Sequence, residues 1–234
     1  MLNNITAFGS NRLLNLLTDN CRQNLLTHCE LVSINLGEVL CNPGDVIKYV
    51  YFPVEGIVSW EKKITDSPYW VVTLIGNEGM ICISLLLGIN ERSCRAVVQK
   101  SGFALRIPAT IFTQQVEQKL AISLVLNRYA NVMYNQSLQI AACNLFHVIE
   151  NRLARLLLMF QQRSQSDEIN ITQDQLAKML GVRRVGVTKA AGSLQRKNLI
   201  SYIRGSVIIH DIAGLKKASC SCYEADNATY NNMM

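Results

Sequence analysis

The sequence predicts an α+β protein in three successive parts: an N-terminal antiparallel β-barrel, a long helix with two apolar faces, and a C-terminal winged helix-turn-helix. Three observations carry this prediction. Short apolar segments separated by turn residues fill positions 46–107, a helical apolar period runs from 111 to 146, and capping, glycine and hairpin signals follow one another from 171 to 210. The boundaries read from these signals are 1–110, 111–146 and 147–220, with 221–234 as a polar tail.

Residues 11–31 space Leu13, Leu14, Leu17, Leu25 and Leu26 helically, predicting one or two short helices. Pro43-Gly44 is turn chemistry, with proline fixing φ and glycine accepting φ > 0. Val46–Phe52, Ile57–Lys62, Tyr69–Ile75, Ala96–Gln99 and Phe103–Ile107 then read as strands, with turns at 53–56, 65–68, 77–79 and 100–102. Short strands with turns about every ten residues predict an antiparallel sandwich or barrel.

From 111 to 146 the period becomes helical. Ile122, Leu126, Tyr129, Met133, Gln136, Ile140 and Cys143 step alternately by four and three, as a coiled-coil seam does, and are expected to form a dimer interface. A second stripe, Leu120, Leu124, Tyr134, Leu138 and Leu145, lies on another side. Two apolar faces need two partners, the barrel and a second subunit; a single helix buried within a monomer is the competing reading. Val148–Phe160 reads as a separate helix with Leu153, Leu156 and Leu157 inward, and 163–168 as a polar link.

In the last part Thr172 and Gln175 predict a capping box that starts a helix at Gln173. Leu176, Met179 and Leu180 mark its inner face, Ala177 allows close approach, and Gly181 can adopt the φ > 0 of a sharp turn. Val187, Ala190, Ala191 and Leu194 then recur at i, i+3, i+4 and i+7, leaving Arg184, Val185, Thr188, Lys189 and Gly192 outward. That basic, lightly built face suits a major groove. Leu199–Ile203 and Val207–Ile209 flank Arg204-Gly205-Ser206, the pattern of a wing with a cation at its tip. The residues expected at DNA are Thr172, Gln173, Arg183, Arg184, Val185, Thr188, Lys189 and Arg204. An ordinary αα-hairpin competes with this reading, but charge favours DNA: residues 151–217 hold 12 Lys and Arg against 4 Asp and Glu, whereas the rest holds 11 against 13.

The chain's 234 residues contain no apolar run long enough to span a bilayer, and Met1–Thr6 lacks the charged start of a leader, so a cytoplasmic protein with no membrane partner is expected. Its eight cysteines are then expected to be reduced thiols. Cys21, Cys29 and Cys41 are too far apart for an N-terminal iron-sulfur site, and His28, His147 and His210 all lie outside the expected strands, leaving a metal-dependent barrel enzyme without ligands. Cys220 and Cys222 near His210 form one C-x-C without a second pair, which reads as ordinary thiols. No catalytic residue, metal or cofactor is expected.

Taken with Pro43-Gly44-Asp45, the Tyr51-Phe52-Pro53 to Gly56 stretch, Ile171-Thr172-Gln173, Leu176-Ala177, Gly181-Val182, Val187 and Asn198-Leu199-Ile200, the chain resembles the Crp/Fnr family of bacterial transcription regulators over nearly its whole length. The resemblance implies a cupin-like, cyclic-nucleotide-binding-like jelly-roll barrel, a dimerisation helix, and a winged helix that binds a two-fold symmetric operator. It also implies that Arg184, Val185 and Lys189 occupy the base-reading positions. Members that bind cyclic nucleotides place an acid in a Gly-Glu-Leu turn and an arginine after it. Here Gly79 to Gly88 has no acid in that turn, so Cys82, Ser84, Arg92 and Arg95 are expected to line an effector pocket that does not take a cyclic nucleotide. The expected partners are double-stranded DNA, a second copy of the chain, an unknown small-molecule effector and RNA polymerase. Two readings compete: a DNA-binding protein that needs no ligand, and a cupin-barrel enzyme with an accessory nucleic-acid module.

Overall fold

The structure is a computed structural model that describes residues 11–63, 65 and 69–234. Met1–Thr6 and most of the turn at 65–68 lie outside the described residues. The chain forms two compact units: one of residues 11–62, Thr73–Met133 and Asn232–Met234, the other of Tyr134–Asn231 with the described part of 63–72.

In the first unit a short helix α1 (Asp19–Leu26) precedes β1 (Glu30–Ile34), β2 (Val39–Cys41), β3 (Tyr49–Pro53), β4 (Ile57–Lys63), β5 (Tyr69–Ile75), β6 (Arg95–Lys100) and β7 (Gly102–Pro108). These pair as two sheets of order β1-β7-β3 and β2-β6-β4-β5, compatible with a jelly roll but not closed into the expected barrel. β1 was not among the expected strands, and its first two residues, Glu30 and Leu31, fall at the end of the stretch read as helical. It is a strand because β7, some seventy residues away, supplies its ladder, with Glu30 opposite Arg106 and Ile34 opposite Gly102. The inner faces bury Val50, Phe52, Leu105 and Ile107, and Phe52 meets Phe112 with ring centroids 6.2 Å apart.

The helical stretch is two helices, α2 (Ala109–Gln118) and α3 (Leu120–Phe146), separated at Lys119, whose φ −127° and ψ 95° are extended. On α3 the expected dimer seam is corrected. Ile122, Leu126, Tyr129, Met133 and Gln136 are buried within the single chain, and Ile140 is half-buried, so they are not free to face a second subunit. Tyr129 packs so tightly on the turn before β-strand pairing resumes that a Cβ on Gly79 would lie 1.8 Å from its hydroxyl. The other stripe is the open one: Leu120 is 72% exposed, Tyr134 63% and Leu145 79%, with Leu124 and Leu138 also exposed. Periodicity shows two apolar faces but not which one the chain itself covers.

The second unit continues with α4 (Ile149–Ser164), β8 (Glu168–Asn170), α5 (Gln173–Leu180), α6 (Arg184–Arg196), β9 (Ile200–Ile203), β10 (Ser206–Ile209), α7 (Ile212–Ala218) and α8 (Cys222–Met233). α4 is its hub, burying Leu153, Ala154, Leu157, Leu158 and Phe160. β8, whose first residue Glu168 closes the stretch read as a polar link, pairs with β10 and makes the wing three-stranded in the order β8-β10-β9. The polar tail is corrected as well. It holds α8, which buries Cys222, Tyr223, Asp226 and Tyr230 and is fixed by a buried ion pair between Asp226 and Arg155 of α4. The many Asn residues hid an inward face at spacings of three and four.

Candidate nucleic-acid interface and ligand pocket

α5 begins as its sequence requires. The Thr172 hydroxyl accepts from the Gln175 amide at 3.2 Å, and Gln175 Oε1 accepts from the Thr172 amide at 2.8 Å, satisfying donors that a helix start would orphan. Gly181 ends the helix at φ +63°, a left-handed conformation that costs other residues energy, and α6 follows three residues later. The buried Arg152 of α4 donates to the Leu180 carbonyl at the end of α5 and to Asn144 Oδ1 at 2.6 Å, so the turn is held from beneath. Gly186 lets α4 close in, since a Cβ there would stand 2.8 Å from Ile149 Cδ1.

α6 packs inward through Val187, Ala190, Ala191 and Leu194, all buried. Arg183, Arg184, Val185, Thr188 and Lys189 are exposed, and Val185 is 59% exposed although it is apolar. Thr188 donates to Gln173 Oε1 at 2.7 Å, joining the starts of the two helices, while Gln173 is half-buried. Arg184 reaches Asp174 at only 3.8 Å, both side chains being about two-thirds exposed, a pair too wet to hold the guanidinium in place. Beside them Arg204 and Gly205, at φ 49° and 86°, turn the wing hairpin, and a Cβ on Gly205 would lie 3.7 Å from Thr172 Cγ2. The Tyr202 hydroxyl donates to the Ile171 carbonyl at 3.1 Å, tying the wing to the entry of α5. All eight residues expected at DNA therefore lie along α5's start, α6's outer face or the wing tip.

The first unit holds a cavity of about 520 Å³, lined by Cys41, Asp45, Lys48, Tyr49, Tyr51, Cys82 and Arg92 among others. Of the four residues expected there, it contains Cys82 and Arg92 but not Ser84 or Arg95. Ser84 sits in the short 3-10 helix Ile83–Leu87, and Arg95, on β6, faces Glu61 at 3.8 Å. Arg92 is buried, donates to Cys82 Sγ at 2.8 Å, and leaves its buried Nε without a hydrogen-bond partner among the described residues. Burial pushes the Cys82 thiol up to about 12, against the pull of Arg92, and the neutral thiol donates to the Tyr49 carbonyl at 2.9 Å. A buried arginine with an unspent donor has the chemistry to pair with an anion.

A third grouping was not foreseen. Cys143 and His147, at the end of α3, meet Cys220 and Cys222, and the four donor atoms lie within 4.8 Å of one another. His210, which sequence proximity had suggested, is not part of this group. The signal that could have found it is the four-residue step from Cys143 to His147, one helical turn, matched to the C-x-C.

Residues 151–218 match the family model of the Crp-like helix-turn-helix domain. No curated protein matches the sequence. Among solved structures, FixK2 from Bradyrhizobium japonicum aligns at TM-score 0.69 and 12% identity, covering 82% of this chain and 98% of that one. A regulator of the Crp/Fnr family from Eubacterium rectale aligns at 0.68 and 16%, covering 88% and 96%. The c-di-GMP-responsive global regulator CLP of Xanthomonas campestris aligns at 0.67 and 15%, covering 83% and 100%. The chain has the fold of these Crp/Fnr regulators, and its residues 151–218 form a Crp-like helix-turn-helix domain. Among the described residues, no helix is long and apolar enough to cross a membrane.

Proposed function

We propose that this chain is a homodimeric, sequence-specific regulator that lays α6 of each subunit into the major groove of a two-fold symmetric operator. The observation that carries the reading is the outer face of α6. Arg184, Val185, Thr188 and Lys189 are all exposed on a helix whose opposite face is fully buried, and the Arg204 wing tip stands beside the α5 cap. Arg184, in the first turn, suits a bidentate contact to guanine O6 and N7; Val185 suits a thymine methyl; Lys189 reaches a guanine or a phosphate. Thr172, Gln173, Arg183 and Arg204 then serve phosphates and fix the register. Such a regulator acts in the cytoplasm, without catalysis, and its surface meets RNA polymerase at the promoter.

The dimer is assigned to the exposed stripe of α3. Leu120, Leu124, Tyr134, Leu138 and Leu145 fall on a heptad pattern that Asn127 and Asn131 interrupt, an arrangement that fixes the register of paired helices at some cost in stability. The cavity on Arg92 is the sensor, and its ligand is a small anion. Ligand binding regulates only through unequal affinity for two arrangements of the dimer.

The test is the double variant Leu124→Glu/Leu138→Glu, followed by sedimentation and DNA binding. Wild type should sediment as a dimer and bind duplex DNA with an affinity that falls steeply as salt rises. The variant should be monomeric, folded, and weak on DNA. A monomeric wild type, or DNA binding indifferent to salt, contradicts the reading.

A further inference from the structure

We propose that Cys143, His147, Cys220 and Cys222 form a closed tetrahedral site for a single zinc ion, which clamps the turn between α7 and α8 onto the end of α3. Nothing in the DNA-binding reading requires this site, and it stands or falls separately.

The donor set is three thiols and one imidazole, the softness and number that structural zinc takes. Zinc–sulfur bonds of about 2.3 Å and zinc–nitrogen bonds of about 2.0 Å set the edges of a tetrahedron at about 3.8 Å between sulfurs and about 3.5 Å between sulfur and nitrogen. Cys143 Sγ and Cys220 Sγ stand 3.5 Å apart, and Cys222 Sγ and His147 Nδ1 stand 3.4 Å apart. No pair in the group exceeds 4.8 Å, so a small inward movement of side chains completes the coordination. In an iron-sulfur cluster the four ligands are divided among two or four irons, which would spread the donors around a polynuclear body rather than about one point.

The backbone builds this convergence. His147 continues the last turn of α3, its amide donating to the Cys143 carbonyl at 3.1 Å, so both side chains leave the same face. Cys220 and Cys222 flank Ser221 at the start of α8. Asn151 donates to the Ala218 carbonyl at 2.7 Å, holding the approach to the turn. Gln139, one turn before Cys143, donates to Cys222 Sγ at 2.9 Å, the outer-sphere hydrogen bond that a metal thiolate attracts. Arg152 lies close enough to feel charge on Cys143 and Cys220 and offsets the net negative charge of three thiolates around one divalent ion, Arg155 nearby being already paired with Asp226. The three cysteines are buried, and all four positions are supplied by protein, so no place remains for water or substrate: the ion is structural.

The experiment is elemental analysis of the full-length protein purified without chelator, followed by cobalt(II) titration of the metal-free protein under reducing conditions. One zinc per chain is expected, and cobalt should give the visible absorption and thiolate charge-transfer bands of a tetrahedral sulfur-rich site. Cys143→Ser/Cys220→Ser should lose both signals, while Cys41→Ser, a cysteine of the other unit, should keep them. Chelation should lower the melting temperature and open α8 to protease. If the double variant fails to fold, His147→Gln and the wild-type cobalt spectrum still decide. Metal-free protein with eight titratable thiols and no cobalt spectrum overturns the proposal. So does a disulfide within the group, or iron accompanied by acid-labile sulfide.

Discussion

The helix-turn-helix unit and the β-rich unit place their functional residues by opposite means. In the first, each determinant acts over a few residues: Thr172 caps with Gln175, Gly181 turns three residues before α6, and Arg204-Gly205 closes a hairpin between adjacent strands. In the second, the pocket joins Cys41, Tyr49, Cys82 and Arg92 from separate segments, and β1 finds its partner in β7 across most of the unit. Local devices preserve a binding face wherever the chain goes, whereas a pocket built from distant segments exists only when every strand has found its register. Such a pocket can change its chemistry through one side chain without disturbing the scaffold.

Three perturbations probe this difference. The largest effect is expected from Leu194→Ala, which empties a fully buried position beneath the outer face of α6 and should cost about 2–5 kcal/mol in denaturant unfolding. DNA affinity should fall with stability while amide exchange in the β-rich unit stays unchanged. A smaller loss, about 1–3 kcal/mol, is expected from Gly79→Ala, where the new methyl must displace the Tyr129 ring from its contact with the turn. That change should disturb the first unit and leave the capping box intact, as amide exchange at Gln175 would report. The smallest effect is expected from cyclic AMP, which should give no heat in titration calorimetry. Asp45, the one carboxylate among the described residues that line the pocket, sits in an exposed turn, and the segment 79–88 carries no acid, so a buried ribose diol would lack its acceptor.

The same contrast explains what could be read without coordinates. Turn chemistry, the α5 cap, the inner face of α6 and the wing depend on neighbours in sequence, and the structure has each of them where the residues put it. β1 went unread because its five residues carry no turn signal of their own and its ladder comes from β7, some seventy residues on. Ser84 and Arg95 were expected in the pocket because the family resemblance sets the 79–88 turn and the 91–96 segment against the ligand, but a 3-10 helix carries one away and Glu61 faces the other. The two stripes of α3 were visible as stripes. Which one the chain buries depends on Gly79 meeting Tyr129, a contact across fifty residues. Cys143 and His147 stand one helical turn apart in the sequence, but only the fold shows that Cys220 and Cys222 are their partners.

Whether α6 reads bases through Arg184 is decided by operator selection from a random duplex library, run in parallel with wild type and Arg184→Ala. Wild type should select a two-fold symmetric site with half-sites one helical turn, ~34 Å, apart. Arg184→Ala should lose preference at one base pair of each half-site, a discrimination of about 1–3 kcal/mol, while the remaining positions keep theirs. A variant that binds every sequence more weakly by the same factor, with its selected site unchanged, would make Arg184 a phosphate contact and contradict the account.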